Sequence, residues 1–136
     1  RHYADDRGGG LSLYLEPGSS GQLRAVAKAK SGDTIFNLYT VRVYGDLCDS
    51  RWHLVTVAYS MRAGGVNRLY LDGDRKMEAV IASAWIFDGQ PILIGFPPAN
   101  YFEEFMGLVD EVSIFNRQLS EEEVEKIYIN QFLGRN

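Results

Sequence analysis

Cysteine is almost missing from this chain. Cys48 stands alone among 136 residues, which excludes an intrachain disulfide framework and leaves the redox compartment unread. A lone thiol is ordinarily a small buried hydrophobe; the alternative is a reactive or intermolecular cysteine. A surplus of positive charge is missing too. Lys and Arg total 14 against 18 Asp and Glu, a formal net charge of -4, so no global field draws in a phosphate backbone or an anionic membrane surface. Nucleic acid is therefore not an expected partner. Long apolar runs are also lacking. Ala79 to Ala82 and Pro91 to Ile94 fall far short of the roughly 20 residues that cross a bilayer, so membrane insertion is not expected. Histidine occurs twice, at His2 and His53, and His2 has no second histidine near it in sequence with which to hold a metal. The chain opens on Arg1 without a charged-then-apolar leader, and is expected to be a mature fragment or an excised domain of a larger protein.

What is present fits one ordinary domain over residues 1–136. A composition 46% hydrophobic and 24% charged can bury a core without covalent help. Turn residues punctuate the chain every eight to twelve positions, with period-two alternation between them, the pattern of a sandwich or barrel. Leu11, Leu13 and Leu15 alternate with Ser12 and Tyr14. Pro17 to Gly21 then turn the chain into a second alternating run, Leu23 to Ala29, and the two read as a hairpin. Thr34 to Val43 is one long strand, or two separated by a bulge. Trp52 to Tyr59 is the strongest single strand. Leu69 to Leu71 and Met77 to Ile81 flank Asp72-Gly73, a pair suited to the positive φ angles of a tight hairpin. Ile92 to Ile94 and Leu108 to Phe115 complete the strands.

One segment departs from this rhythm. Ser120 with Glu123 three residues on makes a capping box, with Leu119 and Val124 placed as a hydrophobic staple. A helix starts there, with Val124, Ile127 and Tyr128 on one face, acidic residues at its positive end and Gly134 as a terminator. Glu121, Glu122, Glu123 and Glu125 read as a solvated face.

Three stretches, in order, resemble the laminin-G-like branch of the concanavalin A-like jelly-roll family. They are Trp52-His53-Leu54-Val55-Thr56-Val57-Ala58-Tyr59, then Leu69-Tyr70-Leu71-Asp72-Gly73, then Gly107 to Ser120. The resemblance runs from about Gly10 to the helix. It implies an all-β, antiparallel two-sheet jelly-roll sandwich of roughly eight strands with one short C-terminal helix, in an extracellular or secreted setting. It implies a binding module whose partners are glycans or extracellular proteins. Relatives usually begin with further strands, so the chain reads as short at its N-terminus. It also departs from them between Phe96 and Phe105, where Pro97 and Pro98 precede Asn100, Tyr101 and Phe102.

Those three residues are the candidate ligand-binding set: aromatic faces beside an amide suit sugar stacking or protein anchoring, while the structural alternative folds them over the sandwich edge. Asp110 shares a strand face with Leu108, Val112 and Ile114. If that face is the core, the carboxylate needs partners. It is either satisfied by hydrogen-bond donors or a ligand for calcium, and the resemblance favours calcium, since related jelly rolls carry one at the corresponding point. Trp52 reads as core or edge packing and His53 as a structural surface residue.

An enzyme is the rival class. Glycoside hydrolysis needs two carboxylates flanking one bond, roughly 5 to 9.5 Å apart, and the Glu-x-Asp-x-x-Glu run of jelly-roll hydrolases does not occur here. Asp72 and Asp74 bracket a turn glycine, and Asp110 and Glu111 point to opposite faces of a strand. No catalytic residue is assigned. A hydrolase fragment or accessory domain, and a purely structural module, are the alternatives.

Overall fold

The structure is a computed structural model that describes residues 10–17, 23–31, 34–36, 47, 49–60, 62–80, 94 and 107–133. Among the described residues, six strands fall into two three-stranded antiparallel ladders. In the first, β1 (Gly10–Pro17) pairs with β2 (Leu23–Ser31) from Gly10 opposite Lys30 to Pro17 opposite Leu23, the hairpin expected from the alternating leucines. β2 pairs in turn with β3 (Thr34–Phe36), the described part of the long Thr34 to Val43 run.

The second ladder carries the site. β4 (Val55–Ala58), β5 (Val66–Leu71) and β6 (Asp74–Val80) pair in that order. The two-residue loop between β5 and β6 is Asp72-Gly73, with φ of 53° and 81°, so both central positions take the left-handed values of a type I′ turn. A Cβ on Gly73 would stand 3.0 Å from Tyr128 Cδ1, and the turn needs glycine on both counts. A shift in register between Leu69 and Tyr70 places Tyr70 opposite Arg75.

Alternation along β5 gives both of its faces a hydrophobic partner. Leu69 and Leu71 are buried with Leu47, Val55, Val57 and Met77 packed against them. On the other face Tyr70, fully buried, packs with Ala58, Leu119, Val124 and Ile127. The second cluster is made by α1 (Glu121–Tyr128), which starts where the capping box places it: Ser120 accepts from the Glu123 backbone, and the Glu123 carboxylate accepts from the Ser120 backbone. Leu119 and Val124, the two staple residues, are both buried there, each contributing about 1.5–3 kcal/mol. Gln118 adds a polar tie, its Nε2 donating to the carbonyls of Val66 at 2.6 Å and Ala58 at 3.3 Å. Arg117 grips Glu123 with two hydrogen bonds of 2.6 and 2.7 Å, and holds that carboxyl down at about 2, helped by the Ser120 N–H. Past α1 the chain continues as a π-helical turn, Ile129–Leu133. Gly134, expected as the terminator, lies outside the described residues.

The expected closing strand, Leu108 to Phe115, is not one in the structure. Among the described residues it enters no ladder, and Leu108, Val109, Val112, Ile114 and Phe115 are exposed, Leu108 at 79%. The physical reason is local. The Asp110 carboxylate accepts from the Glu111 N–H at 2.8 Å and Glu111 takes φ 53°, a side-chain-to-backbone bond that competes with the extended conformation. Of Ile92 to Ile94, only Ile94 is described, and it is exposed.

Candidate functional site

Antiparallel pairing brings the start of β4 against the β5–β6 turn, since Val55 faces Leu71. The next residues out on each side, Leu54 and Asp72, meet across the end of the ladder. The Asp72 N–H donates to the Leu54 carbonyl at 2.9 Å, and Asp72 Oδ1 accepts from the Leu54 N–H at 2.9 Å. That leaves Asp72 Oδ2 for His53 Nδ1, 2.8 Å away. The other ring nitrogen, Nε2, lies 3.1 Å from Asp49 Oδ1. Asp49 also accepts from the Arg51 N–H at 2.9 Å and pairs with the Arg51 guanidinium through Oδ2. A single imidazole thus fastens the loop before β4 to the hairpin turn.

The electrostatics follow from this geometry. Partial burial by itself would lower the His53 pKa, but the hydrogen bonds that the ring donates to Asp72 and Asp49, with the charges of those carboxylates, outweigh it and raise it above the usual value. As imidazolium, both ring nitrogens donate. Asp49 is brought down to about 2, first by the Arg51 backbone N–H, against a smaller opposing effect of burial, and then by the Arg51 and His53 side chains. With both nitrogens committed to carboxylates, His53 has none left to take a proton from a nucleophile. The triad is a clasp.

Within that clasp Ser50 takes φ 65°, and Trp52, expected as packing, is 53% exposed. The Trp52 and His53 pair and the Asp72-Gly73 turn were both legible in the sequence; their contact was missed. The signal was available in the pairing of the two strands, which sets His53 beside the turn.

The candidate residues Asn100, Tyr101 and Phe102 lie outside the described residues, as does Cys48. Asp110 is described and exposed, so it does not share a buried face with Leu108, Val112 and Ile114. Calcium takes six to eight oxygens. Among the described residues, no group of three or more acidic, histidine or cysteine side chains could hold a metal ion.

A family model described as the concanavalin A-like lectin/glucanases superfamily, under the name Laminin_G_3, matches residues 1–125. The chain belongs to this superfamily. Its members are β sandwiches, in keeping with the antiparallel ladders here. No curated protein matched the chain. Among solved structures, an S-layer domain-containing protein of Clostridium thermocellum, residues 221–444, is similar, with 18% identity and a TM-score of 0.51. The match covers 94% of this chain and 66% of that one, and at this identity it speaks for the fold alone.

Proposed function

We propose that this domain is a non-catalytic binding module in an extracellular or cell-surface protein, recognising carbohydrate or an extracellular protein as part of a longer chain. The superfamily match over residues 1–125 carries the reading. The superfamily name covers lectins and glucanases alike, and two features favour the binding side. No Glu-x-Asp-x-x-Glu run occurs in the sequence, and among the described residues Asp49 and Asp72 are both engaged by one imidazole. The two-sheet jelly roll is the arrangement this reading adopts for the two ladders.

The loop with Asn100, Tyr101 and Phe102 is proposed as a recognition edge, on its two prolines and adjacent aromatics. Calcium assistance at Asp110 is the finer part of the proposal and rests on sequence position. A purely structural or assembly module is the second reading, since the fold alone, shared with an S-layer domain-containing protein, does not fix function. Affinity electrophoresis of the intact chain through gels containing single polysaccharides tests the first reading, with reducing-sugar release measured in parallel. Retardation without release is the expected result. Release that disappears on replacing one acidic residue would make the domain a hydrolase.

A further inference from the structure

We propose that Trp52 is a stacking platform for a neutral pyranose ring, a site separate from the 100–102 loop and resting on the carbohydrate reading above. An indole with about half its surface in water forgoes burial that a tryptophan ordinarily finds. Here the exposure is held in place. Asp49, Ser50, Arg51, Trp52 and His53 are consecutive. Their loop is fastened by the Asp49 bonds to the Arg51 N–H and guanidinium, and by the His53 bridge from Asp49 to Asp72. Ser50 in the middle carries a positive φ, a strained state that persists only where its surroundings over-determine it and that clusters at binding sites. The loop therefore presents its indole with little left to order on binding.

The neighbours select the ligand class. Protein hot-spot aromatics sit near the centre of a broad, fully desolvated contact patch, whereas Trp52 stands half exposed and is flanked in sequence by Ser50, Arg51 and His53. A pyranose asks for this mixture: an aromatic face for its C–H surface and polar groups for its hydroxyls. Arg51, with a side chain 77% exposed, commits Nε and Nη2 to Asp49, and its Nη1 makes no bond among the described residues. The charges nearby compensate: Arg51 is paired with Asp49, and His53 lies between Asp49 and Asp72. A neutral sugar fits better than an acidic one.

The test measures binding of the full chain to laminarin, arabinoxylan, xyloglucan and galactomannan, with oxidation of Trp52 and Trp85 by N-bromosuccinimide mapped by peptide mass spectrometry. At least one polysaccharide should bind and should slow oxidation of Trp52. Trp52→Ala should weaken binding at least tenfold, with Trp52→Phe recovering most of it. The oxidation map uses the unaltered chain, so it decides even if a variant fails to fold. Binding that leaves Trp52 unprotected, or that survives Trp52→Ala, overturns the platform while the carbohydrate reading stands. Binding to none of the four, with Trp52 unprotected throughout, overturns both and leaves a protein as the partner class.

Discussion

At the scale of single residues, the His53 clasp makes stability depend on pH in two windows of opposite sign. His53 has a raised pKa in the folded chain, so its contribution is fully present below the unfolded value of about 6.5. It is lost as pH rises through the folded value. Asp49, lowered to about 2, acts the other way: its contribution is present above its ordinary value and lost as pH falls towards 2. Melting temperature against pH should therefore fall on both flanks, and His53→Gln should flatten the alkaline one. Unchanged alkaline behaviour in that variant would mean His53 is not the titrating group. Asp72→Ala should destabilise by about 1–3 kcal/mol, because the Leu54 N–H and His53 lose their acceptor together; Asp72→Asn, which tolerates the left-handed turn and keeps one oxygen, should lose less. Chemical denaturation of the two variants side by side reads the difference. The sequence showed the members of this clasp but not the bond between them, because a side-chain contact over 19 positions follows from strand pairing and not from local pattern. Trp52 is the reverse case: its place opening an alternating strand implied packing, yet that strand starts at Val55 and leaves the indole beyond the ladder.

At the scale of elements, the helix was the most legible part. A capping box and a staple are local, and both appear at the expected residues, Ser120, Glu123, Leu119 and Val124. Ser120→Ala should lower stability by about 0.5–2 kcal/mol in thermal or urea unfolding, since the Glu123 N–H loses its cap. A change indistinguishable from zero would show that burial of Leu119 and Val124 alone holds the helix. The Asp72-Gly73 hairpin was equally legible, since two adjacent positive φ angles restrict which residues can fill it. Its ends were not. β5 begins at Val66 and β6 at Asp74, because polar residues such as Arg68, Lys76 and Glu78 extend a ladder whose apolar alternation is shorter. The Leu108 to Phe115 run failed for a related reason. Alternation records which face each side chain would take in a strand, while the Asp110 to Glu111 hydrogen bond and the positive φ of Glu111 interrupt the extended backbone, and no strand forms there among the described residues.

At the scale of the whole molecule, period-two patterning with a single capped helix pointed to an antiparallel β fold, and superfamily membership agrees. Ligand class was far less legible, since the same fold hosts binding and hydrolysis and the candidate loop Asn100, Tyr101 and Phe102 lies outside the described residues. Calcium is tested at this scale too. If it binds the folded state alone, saturating calcium should raise the melting temperature and chelator should reverse the rise; an identical curve in both would leave Asp110 as a hydrogen-bonded surface acid. The most direct measurement of the central claim is a binding isotherm of the intact chain on a neutral polysaccharide, with reducing ends assayed in the same samples. A saturable isotherm with no release of reducing ends is the expected result. Steady release that is abolished by replacing one carboxylate would contradict it.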